Sequence, residues 1–237
     1  MRAGTRSSQR RSRNFRSWPP KSVRRALIER KMTLASAQRG KNSPGDRKRV
    51  TQPTPWYWTR EQYYALGERG WFENGRVMLI RGRIIEMPPM GIEHARVCTR
   101  VRNLMQRIFE PARWVREDKP ISIKPDSEPQ PDVSVTEHPM EHYTSDHPKT
   151  ALLVVEVSGS TLKYDRENSG LYASAAIPEY WIVNLMDKVI EVHRTPLVDA
   201  TNEYGFRYAD VRTFGKNDAI SPLAQPDAKV RVSDILD

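Results

Sequence analysis

Two carboxylates are the residues of this chain best suited to chemistry. Asp132 stands directly after Pro131 at the head of "DVSV", and Glu156 follows 24 residues later inside the apolar run "ALLVVEV". A carboxylate among Leu and Val is costly to bury unless it is paired, hydrogen-bonded or bound to a metal. Read alone, Glu156 can sit at a strand end that reaches solvent, or pair with an arginine. Two carboxylates on neighbouring strands, both followed by polar turns, point to a different use. They are oxygen ligands of the kind Mg2+ takes, one or two carboxylates completed by water and phosphate oxygens. An ion so held activates water and offsets the charge that builds on a phosphodiester under attack.

The elements that must carry these groups are readable in outline. "ALLVVEV" is the near-continuous apolar run of a strand buried on both faces. "QPDVSV" is a short strand after Pro131, and "WVREDKPISIKP" reads as another strand before it. "YWIVNL" and "KVIEVHR" are two more, joined at about Asp187, and "YGFRYADVRTFG" with "AISP" reads as a hairpin. Upstream, "WTREQYYALGERG" predicts a helix capped by Thr59 with Gln62 completing a capping box, ended by Gly67 or Gly70. "RVMLIRGRIIEMPP" alternates as a hairpin with Arg81-Gly82 at its turn. "HARVCTRVRNLMQRIFE" places Val97, Val101, Leu104, Ile108 and Phe109 on one helical face. Helices interleaved with strands predict a mixed α/β domain around one central sheet.

Charge divides the chain sharply. Residues 1–50 carry 16 Lys and Arg against Glu29 and Asp46; the other 187 residues carry 23 basic and 27 acidic groups, so the net charge of +10 resides in the N-terminal stretch. That stretch has no sustained apolar period and cannot bury enough surface to offset its ordering entropy. Residues 1–50 are therefore expected to be a disordered basic tail, and 51–237 the folded domain. "VRRALIERKMTLASAQ" within the tail has the pattern of a turn or two of helix. The clustered arginines admit a second reading, an arm that binds nucleic-acid phosphate. The single cysteine, Cys98, excludes an internal disulfide and any multi-cysteine zinc site, and its helical position beside Val97 and Val101 reads as packing. With no apolar run long enough to span a bilayer and no secretory signal, a soluble protein of a reducing cytoplasm is expected.

Four segments in order resemble one family. "TREQYYALGERG" with "IIEMPPMGIEHARV", then "QPDVSV", then "LLVVEVSGSTLKYDR", then "LYASAAIPEYWIV" are similar to the Uma-type "putative restriction endonuclease" family of the PD-(D/E)XK nuclease superfamily, over roughly residues 55–237. Glu179-Tyr180-Trp181 adds most to the likeness. The resemblance implies a restriction-endonuclease-like fold, a central mixed sheet flanked by helices. It implies Mg2+- or Mn2+-dependent hydrolysis of DNA, with Asp132, Glu156 and the Val157 carbonyl as metal ligands. It also brings in His94 and Asp165 as site residues.

The chain departs from the family pattern at the lysine that would orient the attacking water. Two residues after the glutamate stands Ser158, and on the following helix the expected place holds Asn168 and Ser169. Met78 occupies a hairpin position where the family tends to carry an acid. Lys163 is the nearest substitute lysine, and a solvated turn residue is its alternative reading. Asp165 is otherwise the N-cap of the next helix, and His94 otherwise packs at a helix start. His138, His142 and His147 lie in one loop, but their spacing matches no usual zinc pattern. Tyr180 and Trp181 are read as core residues of a buried strand.

Two rivals to a DNA endonuclease follow from these departures. One is a catalytically degenerate relative that binds nucleic acid without cleaving it. The other is a protein–protein module, suggested by the net −4 of the folded part. Cleavage of both DNA strands usually takes two active sites, so a homodimer is expected of the active form.

Overall fold

In the computed structural model, which describes residues 52–237, the first helix opens on a capping box. The expected basic tail and its helical stretch lie outside the described residues. Helix α1 (Arg60–Gly67) begins where Thr59 Oγ1 accepts the Gln62 backbone N–H at 3.3 Å and Gln62 Oε1 accepts the Thr59 N–H at 3.0 Å. Two otherwise unsatisfied donors at the helix start are thereby paired. A hairpin of β1 (Val77–Ile80) and β2 (Arg83–Glu86) follows. Arg81 and Gly82 both have positive φ, 51° and 71°, as a two-residue hairpin turn of matching twist requires. A Cβ at Gly82 would meet Tyr57 at 2.6 Å, so only glycine fits there.

Helix α2 (Ile92–Phe109) covers one face of the central sheet. Its Val97, Val101, Met105 and Phe109 are buried against Val133, Val155, Val157, Trp181 and Val183. Each such side chain removed from water contributes about 1.5–3 kcal/mol. The sheet has six strands in chain order: β3 (Val115–Glu117), β4 (Val133–Val135), β5 (Leu153–Ser158), β6 (Glu179–Asn184), β7 (Val189–Val198) and β8 (Phe206–Phe214). All neighbours are antiparallel except β5 and β6. A parallel pair needs a crossover, and helix α3 (Leu162–Ser174) supplies it. Helix α3 packs on the face opposite α2, with the Tyr172 ring 4.9 Å from that of Tyr180. This mixed sheet between helices is the architecture expected from the sequence. The burial of Tyr180 and Trp181 likewise follows their reading as core.

Two local expectations are corrected. "WVREDKPISIKP" is not one strand: pairing stops after Glu117, because Asp118 turns left-handed (φ 51°) and Pro120 offers no N–H to a ladder. Nor does β8 form a hairpin with "AISP". It pairs along β7, while the short β9 (Ala219–Ile220) pairs with β10 (Val230–Arg231). The ten-residue β7 offers a long free edge that β8 fills, and the Gly215 N–H donates to Asp218 Oδ2 at 2.7 Å as the chain turns away.

The C-terminal segment, ending in helix α4 (Ser233–Leu236), is fastened by Glu179 at the start of β6. Its fully buried carboxylate accepts from Trp181 Nε1 (2.9 Å), Arg194 Nε (2.9 Å) and the Leu223 backbone N–H (2.7 Å). No helix among the described residues is long and apolar enough to cross a membrane.

Candidate metal and active site

The register that sets Val133 of β4 opposite Val155 of β5 brings Asp132, one step further on, opposite Glu156. The two residues are then cross-bonded. The Asp132 N–H donates to Glu156 Oε2 at 3.0 Å, and the Val157 N–H donates to Asp132 Oδ2 at 2.7 Å. Each carboxylate is thus aimed by the other strand's backbone. The two remaining oxygens also have partners: Tyr172 Oη donates to Glu156 Oε1 at 2.6 Å, and His94 Nε2 lies 3.0 Å from Asp132 Oδ1. Helix α2 delivers His94 from its first turn, and α3 delivers Tyr172 from its last.

Asp165 joins the group from the first turn of α3. It is not the helix N-cap, which is Thr161. Its Oδ2 accepts from the Ser158 hydroxyl and, at 2.8 Å, from the Thr161 hydroxyl. His94, Asp132, Glu156, Thr161, Asp165 and Tyr172 line a cavity of about 390 Å3, walled also by α3 and the loop that leads from β2 into α2.

The electrostatics are those of crowded anions. Burial and the nearby charges of Asp132 and Asp165 hold the Glu156 carboxyl well above its usual range, against the bonds from Tyr172 and the Asp132 N–H. Burial also raises Asp165, opposed by its two hydroxyl donors. Burial lowers His94, but its hydrogen bond and charge contact with Asp132 prevail, and the imidazole is held above its ordinary value. Asp132 and Glu156, with the backbone of Val157 beside them, form an oxygen-rich donor set short of positive charge. That set fits a hard divalent cation.

Among the expected site residues, the structure gathers Asp132, Glu156, Val157, His94 and Asp165 and leaves Lys163 outside. The Lys163 side chain is 91% exposed, and its Nζ lies 3.9 Å from Glu167 Oε1. Asn168, which holds the expected lysine position, lines the cavity, and its Oδ1 accepts from Tyr204 Oη at 2.6 Å. Met78 is buried in the cavity wall. Of the loop histidines, His138 and His142 lie with tilted rings, centres 4.0 Å apart, while His147 turns towards Arg116.

Sequence reasoning missed two residues here. Tyr172 lies seven residues after Asp165, two helical turns on the same face, and that spacing was its signal. Arg76 precedes β1 and is the only Lys or Arg among the described residues lining the cavity; no sequence signal distinguished it.

The mixed sheet between helices recurs in a solved structure. The crystal structure of "a putative nuclease belonging to DUF820" from Anabaena variabilis superposes with a TM-score of 0.58. It is 14% identical, covering 75% of this chain and 96% of that one, and the likeness is one of fold. Residues 60–233 match the Uma2 family, described as "Putative restriction endonuclease", and the chain belongs to that family. No match was found among curated proteins.

Proposed function

We propose that this protein hydrolyses DNA phosphodiester bonds with Mg2+ or Mn2+ held by Asp132, Glu156 and the Val157 carbonyl. The observation that carries the reading is the crossed pair of hydrogen bonds between Asp132 and the Glu156–Val157 segment. They fix two acidic side chains side by side in a cavity, at the cost of mutual repulsion. The ion, when bound, would polarise the phosphate and lower the pKa of a water ligand. The chain's own groups do the rest. Tyr172 orients Glu156, the Val157 N–H orients Asp132, and His94, as an imidazolium, offers a proton or a positive charge beside Asp132. Asp165, tied to Ser158 and Thr161, holds the turn after β5 in place.

The positive charge that the missing lysine would supply is assigned to Arg76, a cation in the cavity wall whose guanidinium is paired with Asp118. A phosphate entering the cavity can draw it from that half-buried partner. The exposure of Lys163 and the bond that occupies Asn168 favour a second reading, a relative that binds DNA without cutting it. Cleavage of both strands makes a homodimer the expected active species, which sedimentation in the presence of DNA tests.

The deciding experiment incubates the full chain with supercoiled plasmid and Mg2+ or Mn2+, beside Asp132→Ala and Glu156→Ala. Nicking that is lost in both variants supports the proposal. Nicking retained in both removes the metal-site assignment. DNA binding without nicking in any divalent cation favours the second reading.

A further inference from the structure

The single cysteine of the chain lies close to the proposed metal site. His94 and Cys98 are four residues apart on α2 and project from the same face. Together with Asp132 they offer one imidazole nitrogen, one sulfur and one carboxylate oxygen, all within 4.8 Å of one another. Among the described residues no other three such groups converge. Cys98 is 3% exposed, with its sulfur directed to this polar spot although the residue belongs to the apolar face of α2.

We infer that His94, Cys98 and Asp132 form a second cation site, of thiophilic character, that takes Zn2+ and shares Asp132 with the site at Glu156. The inference rests on the proposed function in treating Asp132 as a ligand; with Zn2+ bound, His94 is a neutral ligand and its imidazolium role belongs to the zinc-free protein.

Geometry and donor chemistry support it. A tetrahedral Zn2+ stands about 2.0–2.1 Å from nitrogen or oxygen and about 2.3 Å from sulfur, so its donors sit about 3.3–3.7 Å apart. The three atoms already lie within 4.8 Å of one another, and closing on an ion takes a rearrangement of their side chains. It includes a widening of the 3.0 Å contact between His94 Nε2 and Asp132 Oδ1, as an ion replaces their shared proton. Asp132 can serve both sites because its two oxygens diverge. Oδ1 faces His94, while Oδ2 is held by the Val157 N–H on the Glu156 side. That N–H is the kind of supporting bond that orients a ligating carboxylate. A nitrogen–sulfur–carboxylate set prefers Zn2+ or Co2+ over Mg2+, whereas the oxygen set at Glu156 has the opposite preference. Two of the three donors, His94 and Asp132, line the cavity, from which a water can complete the site.

The test is a Co2+ titration of the untagged full chain, stripped of metal, read by absorption. The expected result is one equivalent bound, with a thiolate-to-cobalt charge-transfer band and the intense visible bands of tetrahedral Co2+. With one cysteine in the chain, such a band in the unaltered protein can come only from Cys98, so the result does not depend on a variant that folds. Cys98→Ser and His94→Gln should each weaken Co2+ and Zn2+ at least tenfold. Glu156→Gln should keep the band. Cobalt bound without a sulfur band, no cobalt bound, or a band lost in Glu156→Gln would each overturn the inference. The two readings fail separately. Plasmid nicking without the band sinks this site and spares the nuclease, and the band without nicking does the reverse.

Discussion

Replacing Glu156 with glutamine should make the metal-free protein more stable, although it removes a residue at the centre of the site. Opposed side chains on an antiparallel pair stand about 5 Å apart at Cβ. Two unit charges at that separation repel by about 3 kcal/mol at an effective dielectric of about 20. Water in the cavity screens part of this, leaving about 1–3 kcal/mol. Glutamine keeps the shape: its amide oxygen can accept the Asp132 N–H, and its amide nitrogen can donate to Tyr172 Oη. The pH dependence carries a definite sign. The Glu156 carboxyl is held above its ordinary value of 4.5, so between the two values the folded chain binds a proton that the unfolded chain has lost. Stability therefore falls as pH rises through that window and stays reduced above it. Glu156→Gln escapes the loss, so its advantage should be absent below about pH 4.5 and evident at about pH 8. For a domain of this size, about 1–3 kcal/mol corresponds to a rise of about 2–12 °C in Tm. Thermal and urea unfolding in EDTA at the two pH values measure it. Saturating Mn2+ should then reverse the order. At a hundred times its Kd an ion adds about 2.7 kcal/mol to the unaltered protein, and much less to the variant. A variant less stable than the parent in EDTA at pH 8, or an equal Mn2+ gain in both, would refute the repulsion argument.

Other outcomes follow from single contacts. Arg76→Ala should reduce nicking more than tenfold, whereas Lys163→Ala should leave both nicking and unfolding unchanged; plasmid assays on the two variants separate the cavity cation from the solvated one. The His94 imidazole is held above its ordinary 6.5, so the stability it contributes is present below that value and lost as pH rises through the raised one. His94→Gln should accordingly destabilise by about 1 kcal/mol at about pH 6 and by progressively less as pH rises, by urea unfolding. Gly170→Ala should cost about 1–3 kcal/mol, because its Cβ would meet the Phe206 carbonyl oxygen at 2.8 Å and Asn202 Oδ1 at 2.5 Å where α3 crosses the sheet.

What could be read from the sequence was set by local rules. Thr59 and Gln62 announced their capping box because both partners lie within one turn. The core face of α2 followed from helical spacing, and the paired positive φ at Arg81-Gly82 from the turn between alternating strands. Asp132 and Glu156 stood out because their charge conflicts with their neighbours. The strand register then explains how they meet. What escaped was fixed by direction or by distant pairing. Lys163 is close to Glu156 in sequence, but the first turn of α3 points it outwards. The partner of β8 was misjudged because a free edge on β7 outweighs proximity to "AISP". Cys98 was read from Val97 and Val101 alone, which could not reveal that its sulfur faces Asp132 on another element.

The Glu179 carboxylate gives the segment Glu179-Tyr180-Trp181 a meaning apart from chemistry. Buried with Arg194 and holding both the Trp181 indole and the Leu223 backbone, it cannot be exchanged alone without stranding a charge inside the protein. A relative that had lost every ligand at Asp132 and Glu156 would still need this latch to close its C-terminus on the sheet. The three residues that make the chain easiest to place in its family thus report how it is assembled, and are silent on whether it cuts.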